Sequence, residues 1–257
     1  MKKLRKLIFV LIDGLNNKQS NLMGYMNALV KAGIARKGKV LSEMPSLSRP
    51  LYETLLTGKT PIEHEVVNNS ISRLSKEESV FSLCKKAGLK TGAAAYYWVS
   101  ELYNRAPFNK IEDTYTENLE KNIQHGIFYT LDHYPDENVF LDGEYIRRKS
   151  QPDFLMIHSM NVDDSGHKNG SESSQYRNSI RSVDGILSNF IPRWIEDGYT
   201  VIVTSDHGMS FDGNHSGDEE EEAVVPIWLI NSNDEIEVTN PIPQIKVMEM
   251  MRKILSI

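Results

Sequence analysis

The stretch "LIFVLIDG" (Leu7–Gly14) sets the tightest limit on the fold: six consecutive apolar residues that stop at an aspartate. A half-exposed strand would alternate apolar and polar residues, so an unbroken run this short reads as a strand covered on both faces. The same form recurs. Thr91–Tyr97, Phe154–His158, Tyr199–Val203 and Val224–Ile230 are further short runs, separated by segments with helical spacing. Expected helices are Gln19–Ala32, Pro50–Leu56 closed by Gly58, Ser79–Lys86 stopped by Gly88, Ser174–Trp194 and Ile245–Ile254. In Ser174–Trp194 the apolar residues Tyr176, Ile180, Val183, Leu187, Phe190 and Trp194 step by three or four, and Pro192 should kink it or end its regular part. Strands alternating with helices give the expected fold class, α/β with a mostly parallel central sheet and helices on both faces. We expect residues 1–257 to form one catalytic domain, with 105–138, the least patterned part, as a small insertion or lid.

Such a sheet binds ligands outside the carboxyl ends of its strands. Residues suited to metals stand at those positions. Asp13 follows the first run, Asp163 and His167 ("DDSGH") follow Phe154–His158, and Asp206 with His207 follows Tyr199–Val203, with His215 a little further on. Singly, each has an ordinary explanation: Asp-Gly is a common turn, "DDSGH" a polar loop, His215 a loop histidine. Together they form three aspartates and three histidines. Oxygen and imidazole donors without thiolate suit zinc first, with manganese or iron as alternatives. Six ligands exceed what one tetrahedral ion takes and point to two divalent ions. Asp163 and His167 are four apart, so a turn through Gly166 can aim both at one ion.

Two roles are open to Ser48 in "MPSLSRPLYETLLTG": the N-cap of the helix that follows, or a nucleophile beside a helix N-terminus able to receive a phosphate. The chain has no G-x-S-x-G elbow, P-loop or G-x-G-x-x-G. The net charge of -6 argues against a nucleic-acid-binding surface but does not exclude a small phosphorylated partner, since a bound divalent metal can dominate the local field. The basic start followed by an apolar run resembles a signal peptide, but the run ends in Asp13-Gly14 rather than small-x-small and reads as the first strand. No segment is apolar enough to span a membrane, and no membrane partner is expected. With a single cysteine, Cys84, the expected location is cytoplasmic. The acidic run Asp218–Glu222 reads as a solvated loop near His215.

The segments "VLIDGL", "PSLSRPLYETLLTGKTPIEHEVVNN", "YWVS", "DDSGH", "SVDGIL…DGYTVIVTSDHGM" and "GNH", in that order, resemble the alkaline phosphatase superfamily, and within it the nucleotide pyrophosphatase/phosphodiesterase branch. The resemblance implies a division of ligands: Asp13, Ser48, Asp206 and His207 on the ion beside the nucleophile, and Asp163, His167 and His215 on the other. It implies Ser48 as nucleophile, usually threonine in this branch, and Asn69 as a hydrogen-bond donor to a phosphoryl oxygen, with Asn68 the competing choice. The implied reaction is an in-line, two-step cleavage of a phosphodiester or pyrophosphate bond through a covalent serine intermediate. A phosphomonoesterase on the same centre, or a non-catalytic metal- or phosphate-binding relative, is the alternative. Arg49 stands where the branch usually has an aromatic residue that helps hold a nucleobase. This weakens nucleotide preference and suggests contact with extra negative charge on a substrate. Tyr97 and Trp98 resemble a Phe-Trp pair and are expected in the core or pocket wall.

Overall fold

A computed structural model describes residues 6–232, 236–238 and 241–257. Of the basic residues that open the signal-like segment, Lys2, Lys3 and Arg5 lie outside the described residues. Among the described residues nine strands form one sheet: β1 (Lys6–Ile12), β2 (Ala35–Leu41), β3 (Thr91–Tyr96), β4 (Tyr115–Glu117), β5 (His125–Tyr129), β6 (Phe154–Ser159), β7 (Tyr199–Thr204), β8 (Val224–Ile230) and β9 (Ile242–Pro243). Their order is β4-β5-β3-β6-β1-β7-β8-β2-β9. The central β5-β3-β6-β1-β7 are mutually parallel, while β4 and β8 run against their neighbours. The mostly parallel α/β architecture expected from the sequence is the one observed.

The unbroken apolar run of β1 has a simple cause. Leu7, Phe9 and Leu11 pack on one face with Tyr52, Leu55, Phe81 and Met251, from the helices Ser48–Thr57, Val80–Lys86 and Lys246–Leu255. Ile8, Val10 and Ile12 pack on the other with Met26, Phe140, Ile180, Leu187 and Trp194, from the helices Gly24–Lys31, Asp136–Ser150 and Ser174–Glu196. Alternate side chains leave a strand on opposite sides, so a strand between two helical layers needs apolar residues throughout. Each fully buried side chain of this size stabilises the fold by about 1.5–3 kcal/mol.

Register brings three strand ends level. Ile12 sits opposite Ser159, and Leu11 opposite both His158 and Thr204, so β1, β6 and β7 discharge their next residues at one edge. Polarity hid several elements. Ala35–Leu41 ("ARKGKVL") carries three cations and pairs antiparallel with β8. The segment 105–138 adds β4 and β5 to the sheet edge. The expected helix Gln19–Ala32 is broken at Met23: Gln19–Leu22 is a 3-10 turn, and Gly24–Lys31 begins afresh. There Asp184 of the long helix accepts the free N–H groups of Tyr25 (2.8 Å) and Met26 (3.1 Å), capping the helix from outside. The long helix runs past Pro192 to Glu196, its last turn anchored by buried Ile191 and Trp194.

Candidate metal centre

Two groups of acids and imidazoles, all buried except the exposed His167, meet at the carboxyl edge. Asp13, Asp206 and His207 form one, and Asp163, His167 and His215 the other, with ligand atoms of each group within 4.8 Å of one another. The structure thus brings together all six residues singled out beyond the strand ends. "DDSGH" is not a free turn but part of the helix Asn161–Asn169, where an i, i+4 spacing puts Asp163 and His167 on one face. His167 Nε2 lies 3.4 Å from Asp163 Oδ2.

The imidazoles share one arrangement. Nδ1 of His207 meets the Gly208 carbonyl at 2.8 Å, that of His215 the Ser46 carbonyl at 2.7 Å, and that of His167 the Gly213 carbonyl at 2.8 Å. A carbonyl oxygen only accepts, so each Nδ1 carries the proton and each Nε2 presents a lone pair. Two of these, on His167 and His215, face each other at 3.2 Å with no hydrogen between them. Asp13 Oδ1, Asp163 Oδ1 and Asp206 Oδ2 are buried without hydrogen-bond partners. Burial, then the charges of Asp13 and Asp163, pushes the Asp206 carboxyl well above its ordinary range; burial and Asp13 do the same to Asp163. His207 is pushed down to about 3 by burial and by neighbouring His215. Converging lone pairs and orphaned oxygens cost several kcal/mol unless a cation meets them. The donor set fits divalent ions of the zinc type, held through Nε2 with the Nδ1–H groups anchored to carbonyls.

Ser48 opens the helix Ser48–Thr57, and Leu47 holds the N-cap position. Its hydroxyl does not cap the helix; it donates to His207 Nε2 at 3.0 Å, where the two ligand groups adjoin. Asn69 takes over part of the capping, its Oδ1 accepting the Arg49 N–H at 3.0 Å, and this leaves the Asn69 NH2 as its remaining donor. Asn68 Oδ1 instead accepts from Ser70. The Arg49 guanidinium, expected to meet charge on a substrate, is buried and engaged: it pairs with Glu101 at 2.8 Å, donates to the Ile71 carbonyl at 2.9 Å and lies 4.5 Å over the Trp98 ring. Tyr97 and Trp98 open the helix Tyr97–Tyr103, half-buried against the core.

Glycines and the acidic run shape the loops. Gly14 has φ +69°, and a Cβ there would meet the Asp163 Cα at 2.8 Å, so the first strand reaches the second ligand group only without a side chain. The carbonyls of Glu221 and Glu222 accept the N–H groups of Met209 (3.0 Å) and Gly208 (2.6 Å), so part of the acidic run, expected to be solvated, braces the His207 loop. Sequence reading overlooked two residues here. His158, on β6, lies 3.1 Å from Asp13, and Tyr52 donates to the same carboxylate. A histidine inside an otherwise apolar buried strand was the available signal.

The model of the type I phosphodiesterase / nucleotide pyrophosphatase family matches residues 7–223. The chain belongs to that family. Members of this family act on phosphoesters, and the fold is that of the alkaline phosphatase superfamily. Among curated relatives, the human GPI ethanolamine phosphate transferase 2 catalytic subunit is 25% identical over 240 residues, covering 88% of this chain and 23% of that protein. The human GPI ethanolamine phosphate transferase 3 catalytic subunit is 27% identical over 225 residues, covering 83% of this chain and 19% of that protein. The chain therefore spans about a quarter or less of these relatives' length. Among solved structures, an inactive variant of murine ectonucleotide pyrophosphatase/phosphodiesterase 5 in complex with AMP superposes with TM-score 0.75 at 14% identity, covering 98% of this chain and 95% of that one. Alkaline phosphatase from the Antarctic bacterium TAB5 gives 0.67 at 13% identity, covering 99% of each. The relatives overturn one expectation. They are transferases named for GPI, a membrane glycolipid, and the cytoplasmic location inferred from a lone cysteine does not stand against them. Among the described residues no helix is long and apolar enough to cross a membrane.

Proposed function

We propose that the chain cleaves a phosphodiester or pyrophosphate bond of a small substrate through a covalent intermediate on Ser48, with two divalent ions, zinc first. The observation that carries this reading is the buried Ser48 hydroxyl, 3.0 Å from His207 Nε2 at the junction of the two groups of acids and imidazoles. Asp13, Asp206, His207 and Ser48 would hold one ion, and Asp163, His167 and His215 the other. Ions so held supply Lewis-acid stabilisation and lower the pKa of bound hydroxyl groups. Ser48 Oγ forms the new bond to phosphorus as the bond to the leaving oxygen breaks opposite it; the hydroxyl proton leaves the His207 hydrogen bond for solvent, and the leaving oxygen takes one up from solvent water. The Asn69 NH2 would donate to an equatorial oxygen, where charge spreads in the transition state. Water then attacks phosphorus and frees Ser48.

A second reading has its own support. The curated relatives are named transferases, so the second acceptor can be an alcohol rather than water. The test is to supply zinc-reconstituted protein with a phosphodiester and a phosphomonoester reporter, with and without an amino-alcohol acceptor, and Ser48→Ala as control. Diester cleavage with a trapped phosphoserine adduct supports the proposal, and adduct passing to the alcohol supports the transferase form. Monoester preference would favour a phosphatase on the same centre. No cleavage of either reporter with zinc, manganese or iron would sink it.

A further inference from the structure

We infer that His158, with Tyr52, is a positioning pair that makes Asp13 a one-oxygen ligand of the Ser48-side ion; this rests on the dimetal reading above. Both residues are fully buried, as is Asp13. The backbone N–H of Tyr96 donates to His158 Nδ1 at 3.3 Å, which leaves the ring proton on Nε2. Nε2–H then donates to Asp13 Oδ2 at 3.1 Å. The ring is held in place as well. Tyr52 meets it edge-on with centroids 4.7 Å apart, and Tyr129 donates to the His158 carbonyl at 2.9 Å.

The Tyr52 hydroxyl donates to that same Oδ2. One oxygen of Asp13 is thus saturated by two donors, while the other, Oδ1, has no partner and lies 3.4 Å from His207 Nε2. The carboxylate can neither rotate nor offer both oxygens without breaking two buried hydrogen bonds. His158, despite being an imidazole among acids, is excluded as a ligand, since its one nitrogen facing the site carries a proton. Tyr52 adds a mechanical link. It lies four residues after Ser48 on one helix, so the element that presents the Ser48 hydroxyl to His207 also clamps Asp13. A shift of that helix would move nucleophile and ligand together.

Zinc and cobalt(II) are titrated into metal-free wild type, His158→Leu, His158→Gln and Tyr52→Phe, by calorimetry and by cobalt visible absorption. A His215→Ala background isolates the Ser48-side ion. We expect His158→Leu to weaken that ion 10–100-fold and shift its cobalt bands, with the other ion unchanged. His158→Gln keeps a donor at the Nε2 position and should restore affinity to within a few fold; Tyr52→Phe should fall between. Wild-type affinity and spectrum in both His158→Leu and Tyr52→Phe would overturn the assignment, as would equal weakening of both ions. If wild type itself binds neither metal, the dimetal reading fails, an outcome distinct from a failure of His158 alone.

Discussion

The two ends of the central strands carry buried charge in opposite ways. At the carboxyl edge Asp13, Asp163 and Asp206 each leave one oxygen without a partner. At the amino edge the Arg147 guanidinium grips Glu144 through two bonds of 2.7 and 2.8 Å and also pairs with Asp197, while Trp194 donates to Glu144 at 3.1 Å. A cleft of about 630 Å³ opens beside that network, lined by Lys6, Arg148 and Arg193 among others, yet Glu144 and Asp197 there are already answered by Arg147. Cleft volume therefore does not mark the candidate site in this molecule; three unanswered carboxylate oxygens clustered with imidazoles do. One edge is finished by the protein alone, and the other is built for something the chain does not supply.

The largest effect expected is at the unfinished edge. Ser48→Ala should lower kcat by at least about 10³-fold and abolish any phosphoserine adduct, because no other hydroxyl approaches His207 Nε2 among the described contacts. Arg147→Met tests the finished edge: it strands buried Glu144 and should cost about 3 kcal/mol in denaturant unfolding, with kcat/KM unchanged. If activity falls with stability, the two ends are not independent.

Asp206→Asn should separate stability from function. It relieves like-charge crowding with Asp13 and Asp163, so the metal-free protein should gain about 1 kcal/mol, roughly 2–4 °C in Tm, while zinc uptake drops. A loss of metal-free stability would show that Asp206 is already compensated by the fold.

The smallest effect, and the sharpest contrast, is in pH. Burial opposes ionisation of Glu144, but the donors Arg147 and Trp194 outweigh it and hold its carboxyl below the ordinary 4.5. Its contribution is complete above the unfolded value and is lost as pH falls through the folded one. Asp206 runs the other way. Raised above 3.8 by burial, Asp13 and Asp163, it leaves the metal-free fold most stable below the unfolded value and weakens it as pH rises. Melting curves from pH 3 to 8 in chelator should therefore lose their acid-side slope in Glu144→Gln and part of their neutral-side slope in Asp206→Asn. Unchanged profiles in both would remove the electrostatic distinction between the edges.

How much of this was legible without coordinates follows from the same physics. Strands buried on both faces announce themselves by composition, which is why β1, β6, β7 and β8 were found within a residue or two. β2, β4 and β5 were not, since an edge or antiparallel strand tolerates Arg36, Lys37, Lys39 or Glu117 and loses the apolar signature. The candidate ligand residues were legible because Asp and His are rarely placed at the mouth of an apolar run without cause. Their supports were not. His158 and Tyr52 look like core residues in a line of text, and only the register of β6 against β1 and one helical turn after Ser48 bring them onto Asp13. Arg49 shows the converse: a conspicuous charge whose partner, Glu101, lies far along the chain.

The rings of His207 and His215 lie nearly parallel, 6° apart in plane with centroids at 3.6 Å. Each belongs to a different ligand group, so the van der Waals thickness of an imidazole acts as a gauge block between them. A carboxylate or thiolate at either position would preserve a donor atom but remove the spacer. In the proposed two-ion centre, exchange of ligand chemistry at these two positions should then alter the spacing of the two groups before it alters their affinity for metal.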